Sequence, residues 1–308
     1  MDRSGREHMQ SRYSVALGSA CAVVLISPVL AATALPVPDF SGVWARPYIG
    51  FEPPISGPGP VLNRSRVNGQ SNLNAFVGDY TNPILKPNAA DAIRRHGEIE
   101  LAGATAPNPS NQCRPMSPPY ILQRQQIQFV QQAHQITILY AEDEQVRHVR
   151  LNARHPERVI PSWFGDSIGH FEGDTLIVDT VGIKVGPYSM IDSFGTPYSE
   201  AMHLVERYRL IDYQEGRAAA ARSERENRAL QADSFTGNGV AIDTGYRGKA
   251  LQVQFTVEDE NFFTMPWSAV TTYWRGSGDW VERVCSDNVN EFYAGQFIGL
   301  PRAGAPDF

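Results

Sequence analysis

From residue 120 onward, apolar and polar residues alternate. "IQFVQQAHQITILY" (127–140) and "QVRHVRLN" (145–152) read as two strands joined by the acidic turn "AEDE". "DTLIVDTVGI", "HLVERYRLI", "LQVQFTVED", "AVTTYWRG" and "DWVERVCS" continue the pattern. The period is two, the residues are β-branched or aromatic, and Gly, Asp, Asn and Pro separate the runs, which is the mark of strands. "EGD" (172–174) and "GSGD" (276–279) read as hairpin turns. At least seven strands in consecutive order predict a mainly β fold, an antiparallel sheet closed as a barrel or folded as a sandwich. The barrel is the expectation adopted here.

Two stretches break the alternation. "DYQEGRAAAARSERENRALQAD" (212–233) favours helix and is polar on most sides. It predicts a surface helix near 213–232, leaving the barrel between two strands, with its Arg/Glu pattern a solvated face. From 36 to 112 the chain is rich in Pro, Gly and Asn and predicts an irregular arm. Within it "AADAIRRHGE" predicts one short helix, capped by Asn88 and stopped by Gly97.

The first residues change the domain organisation. Arg3, Arg6 and Arg12 precede the apolar run "SVALGSACAVVLISPVL", and "VLAATA" offers cleavage after Ala31 or Ala34. That is the pattern of a secretory signal, too short for a confident membrane span. The expected organisation is a signal peptide over 1–34, an arm over 35–119 and a barrel domain over 120–308, in a periplasmic or secreted protein. Removing the signal removes Cys21 and leaves Cys113 and Cys285. Two cysteines in an exported chain usually pair. This bridge would tie the arm to the last strand and contribute roughly 4 kcal/mol through loop entropy.

Composition excludes several partners. The formal net charge is −6, from 27 Lys and Arg against 33 Asp and Glu, with no basic stripe, so nucleic acid is not expected. No dinucleotide fingerprint or phosphate-cradling glycine loop is present, so no cofactor is expected. After signal cleavage no remaining apolar run is long enough to form a stable membrane span. His134 and His148 are expected on one face of a hairpin, but no metal spacing accompanies them, and no metal is expected.

"PSWFGDSIGHFEGDTLIVDTVGIK", "GTPYSEAMHLVERYRLIDY", "SNQCRPMSPP" and "VCSDNVNEFY" resemble a broad, largely uncharacterised family of exported bacterial proteins. Its members share a Gly-(His/Asp)-Ser-(Ile/Val)-Gly-x-(Trp/Tyr/Phe)-Glu-Gly-Asp-Thr-Leu-(Ile/Val)-Val-Asp-Thr core and a later His-x-Val-Glu-Arg strand. The resemblance covers most of the mature chain and implies export and a lipocalin-like β-barrel. It implies no established reaction. Phe171 stands where Trp is commonest, and Tyr198 where His often precedes Ser-Glu. A role for an aromatic at 171 survives, whereas one needing a histidine at 198 does not.

Two kinds of chemistry then stay open. In "HLVERYRLI", Leu204, Glu206, Tyr208 and Leu210 share the more apolar strand face and His203 lies on the other. Glu206 is either a buried general base or the structural partner of an arginine on a neighbouring strand. Asp179 sits mid-strand between Ile177 and Val181. A cofactor-independent lyase, isomerase or hydrolase would use Glu206 or Asp179 as base, with His203 or His170 as proton partner. The other reading is binding of a small hydrophobic or aromatic molecule. Trp163, Phe164, Phe171 and Tyr198 would line its pocket, with Asp166 and Ser167 as polar anchors and Phe263 and Trp267 closing the same end.

Overall fold

The alternation folds into a wall that buries every second side chain. The computed structural model describes residues 37–46, 50–72, 74–123, 126–226, 241–243, 245–277 and 284–285. In chain order the strands are β1 (Gly42–Ala45), β2 (Arg66–Val67), β3 (Gln70–Ser71), β4 (Gln126–Gln131), β5 (Gln135–Tyr140) and β6 (Gln145–Leu151). They continue as β7 (Asp166–Glu172), β8 (Thr175–Val181), β9 (His203–Ile211), β10 (Ala241–Ile242), β11 (Ala250–Glu258) and β12 (Trp267–Ser277). The sheet order is β1-β4-β5-β6-β7-β8-β9-β11-β12, and β12 pairs back onto β1 to close a nine-stranded barrel. The short strand β10 adds to β12, and β2 and β3 form a separate hairpin.

The period-two reading fixes the inside. Leu204, Glu206 and Tyr208 of β9 are fully buried, as are Leu176, Val178 and Thr180 of β8 and Leu251, Val253, Phe255 and Val257 of β11. Asp179 faces outward, as its place in the alternation requires. The β7–β8 hairpin turns at Gly173 and Asp174, between the paired residues Glu172 and Thr175.

Several elements differ from expectation. The stretch 127–140 is two strands, because the chain turns at 132–134. His134 therefore sits in the turn before β5, not on a strand sharing a hairpin face with His148. The barrel does not start at 120: Gly42–Ala45, inside the arm, supplies its closing strand. Helix α1 (Pro87–Leu101) has Lys86, not Asn88, at its N-cap, since Pro87 takes the first helical position, where its missing N–H costs nothing. It runs through Gly97, where an added Cβ would lie 3.0 Å from Val77 Cγ1. That glycine allows close packing and does not end the helix. Helix α2 (Tyr213–Glu226) is described to Glu226. Residues 227–233, the signal stretch and most of "DWVERVCS" lie outside the described residues.

Cys113 and Cys285 are bonded, with Cα atoms 5.4 Å apart. The Cys285 N–H donates to Asp143 Oδ1 (2.6 Å), which places this clasp beside the turn entering β6.

Asp192 closes the 191–196 turn. It accepts the N–H of Phe194 (2.9 Å) and of Thr196 (3.3 Å) and the Thr196 hydroxyl (2.6 Å). Burial nevertheless pushes its carboxyl up to about 6 from an ordinary 3.8. The folded state then binds this proton more tightly than the unfolded chain, so the contribution weakens stability as pH rises from about 4 to about 6. Asp192→Asn is expected to remove a slope worth about 2–3 kcal/mol across that window. Urea titrations of both proteins at pH 4, 5, 6 and 7 check this: parallel pH profiles would show that Asp192 does not titrate there.

Candidate functional site

All neighbouring barrel strands run antiparallel except β6 and β7, which are parallel because the 152–165 crossing returns the chain to the end at which β6 began. They pair only between Val149–Leu151 and Ser167–Gly169. The first half of β6 therefore faces the segment 162–165 instead of a strand. A cavity of about 650 Å³ opens in that gap, lined by Gln145–His148 on one side and Ser162–Ser167 on the other.

Local chemistry holds the second wall in place. The Ser162 N–H donates to Gly182 O (3.1 Å), and Ser162 O accepts the Lys184 N–H (2.8 Å). Gly165 adopts φ +66°, and a Cβ there would lie 2.6 Å from Val181 O, so only glycine fits the turn. The Trp163 ring lies 5.1 Å from Lys184 Nζ, and a Cβ on Gly186 would meet it at 2.4 Å. Phe164 stacks on Tyr140, with ring centroids 5.7 Å apart and planes at 17°.

The inner side of the cavity is Arg147 and Ser167. Arg147 points into the barrel and reaches across β7 and β8 to β9. Its Nε donates to Ser167 Oγ (3.0 Å), its Nη2 to Thr180 Oγ1 (2.7 Å), and its Nη1 to Glu206 Oε1 (3.0 Å). A second bond joins Nη2 to Glu206 Oε2, making the pair bidentate. Tyr208 Oη donates to Glu206 Oε1 (2.8 Å). Arg147 is 1% exposed and Glu206 0%, so this is an ion pair held out of water. Burial alone would lower the Arg147 pKa, but the Glu206 carboxylate overrides it and holds the guanidinium well above its ordinary value. Burial raises the Tyr140 hydroxyl to about 12, and burial plus the Glu206 charge raises Tyr208 well above its ordinary value. At neutral pH the cluster is one ion pair among neutral phenols and hydroxyls.

The outer wall carries a second constellation. Asp179 Oδ1 meets His203 Nε2 at 2.9 Å and His155 Nε2 at 3.2 Å. His155 Nδ1 meets Asp166 Oδ1 at 2.6 Å, and Arg150 Nη2 donates to both Asp166 oxygens at 2.7 and 2.8 Å. These groups latch the 152–165 crossing to the barrel. Among the described residues no group of three or more His, Cys, Asp or Glu is arranged to hold a metal ion.

The sequence candidates therefore divide. Trp163, Phe164, Asp166 and Ser167 line one cavity. Phe171, Tyr198, Phe263 and Trp267 do not line it. Phe171 stacks on Phe40 at 6.3 Å, and Tyr198 Oη donates to Lys184 O at 3.0 Å. Phe263 packs edge-on against Trp267 at 5.6 Å. Residues 84–86 strap the 262–264 segment through Lys86 N–H to Phe262 O and Thr264 N–H to Ile84 O, both near 2.9 Å. The expectation that both aromatic segments share this pocket is corrected by its lining, which includes no residue of 262–274. Among the catalytic candidates, Asp179 and His203 meet, but Glu206 lies on the opposite face of β9 from His203. His170 is exposed and bonds to Glu172 (3.2 Å). Sequence reasoning did not find Arg147, Tyr140 or His155. The only sequence signal for Arg147 was parity with Val149, and that face of "QVRHVRL" is scarcely more apolar than the other.

Comparison with known proteins returns no matching family profile, no matching curated protein and no matching solved structure.

Proposed function

We propose that this chain is an exported binding protein for a small hydrophobic or aromatic molecule, held in the cavity between β6 and the 162–167 wall. The observation that carries the reading is that cavity: about 650 Å³, with Trp163 and Phe164 on one side and polar atoms of Arg147 and Ser167 at its inner end. An apolar wall with a few fixed polar groups is the usual make-up of a small-molecule site. Export to the periplasm or beyond the cell is supported by the Cys113–Cys285 bond, which persists where thiols are not kept reduced.

The catalytic alternative has less support. It requires a base and an imidazole converging on a cavity. Glu206 is engaged by Arg147 and Tyr208 with no histidine beside it, and the Asp179–His203 pair lies on the outer wall.

Titration with N-phenyl-1-naphthylamine, a neutral fluorescent probe, tests the reading. Wild type is expected to bind it, and Trp163→Ala to bind at least about tenfold more weakly, since the indole is a large part of the wall. Equal affinity in a folded Trp163→Ala protein would place the probe elsewhere and remove this reading. Native mass spectrometry of protein purified from the periplasm then identifies the natural ligand.

A further inference from the structure

Hydrogen-bond accounting at the inner end of the cavity narrows the ligand class, given the binding reading above. Ser167 Oγ and Thr180 Oγ1 lie 3.0 Å apart, and either could donate to the other. Each also receives a bond from Arg147, which has donors only. Two hydroxyl protons are therefore available, and one lies between the two oxygens. If Ser167 donated to Thr180, the Thr180 proton would need another acceptor. Thr180 is 0% exposed, does not line the cavity, and has Arg147 and Ser167 as its only side-chain partners among the described residues. That assignment buries an unsatisfied donor. In the reverse assignment Thr180 is complete. Ser167 then accepts from Arg147 and Thr180, which uses both its lone pairs; its own proton is left without an acceptor among the described residues, and Ser167 is a residue of the cavity lining.

We infer that Ser167 acts as a hydrogen-bond donor only, and that the cavity selects an aromatic molecule bearing a neutral carbonyl oxygen. An acceptor is required because Ser167 has no lone pair left to offer. Neutrality follows from charge. The Arg147 guanidinium is already matched by Glu206, and Asp166 at the rim is matched by Arg150. A carboxylate bound at Ser167 would lose its water without gaining an unmatched cation among the lining residues. The ring belongs between Trp163 and Phe164, with its carbonyl toward Ser167 and its donor strengthened by the adjacent guanidinium.

A matched ligand pair tests this on the full mature protein. 2-Acetylnaphthalene carries the acceptor, and 2-ethylnaphthalene has nearly the same shape without it. The ratio of their dissociation constants in wild type is expected to favour the ketone by about five- to tenfold relative to the ratio in Ser167→Ala. The carbonyl stretch of the bound ketone gives a readout on wild type alone, shifted to lower wavenumber than in an apolar solvent. An unchanged ratio, or a carbonyl stretch equal to that in apolar solvent, overturns the inference while leaving ring binding intact. If neither naphthalene binds wild type, the cavity reading fails and this inference falls with it.

Discussion

Glu206→Ala is expected to lower folding stability by about 3–5 kcal/mol. The reason lies in what it leaves behind. Arg147 is almost fully buried, and a guanidinium does not shed its charge by deprotonation in a protein. Removing the carboxylate strands that cation, with no remaining anion bonded to it among the described residues and the hydroxyls of Ser167 and Thr180 as its neutral partners. Tyr208 loses its acceptor at the same time. Glu206→Gln keeps the shape and should cost nearly as much, since the loss is mainly of charge. The double variant Arg147→Met with Glu206→Leu should recover more than half of the loss, because replacing a buried pair by apolar side chains is often neutral. Full recovery is not expected: the Tyr208, Ser167 and Thr180 hydroxyls would remain without their partners. Urea unfolding with the disulfide intact measures all three. A Glu206→Ala protein within about 1 kcal/mol of wild type would mean that the pair is solvated in solution, and the inner end of the cavity would need redrawing.

This pair also shows where sequence reasoning stops. Glu206 was legible as an acid on an apolar strand face, because strand parity needs only the strand itself. Its partner was not, because Arg147 sits three strands away in the sheet order and meets Glu206 only by reaching across β7 and β8. Closure was legible as a class of fold but not in its parts. Gly42–Ala45 is a four-residue strand inside a Pro- and Gly-rich arm, with no run long enough to show a period. The turn at 132–134 contains neither Gly nor Pro, so two strands read as one. The Ser162–Ser167 wall was found because its rings are too many for one strand face. The wrong second wall was assigned to it because nothing in "EDENFFTMPW" announces that Phe263 and Trp267 pack against each other away from this cavity's lining. His155 escaped notice for a similar reason. It lies in a crossing with no periodicity, and its partners Asp166 and Asp179 come from the two strands of the next hairpin.

The covalent clasp is the other place where a single substitution should have a large effect. Cys113→Ser is expected to lower stability by roughly 2–5 kcal/mol. The bond spans 172 residues of sequence, so breaking it returns a large loop entropy to the unfolded chain. The expected loss is set below the loop-entropy maximum because long loops rarely deliver their full calculated gain. A local effect should accompany the global one. Cys113 is two residues from Pro115, which lines the cavity, and the Met116 N–H donates to Gln145 Oε1 (2.9 Å) at the start of β6. On the other side of the bond, Cys285 is joined to Asp143 in the turn that enters the same strand. Releasing the clasp therefore frees both chains that frame one rim of the cavity, and N-phenyl-1-naphthylamine should bind Cys113→Ser more weakly even well below its unfolding midpoint. Thiol counting on unfolded, unreduced mature protein provides the prior check: two free thiols per chain would show that the bond does not form, and neither the stability loss nor the rim effect would then be expected.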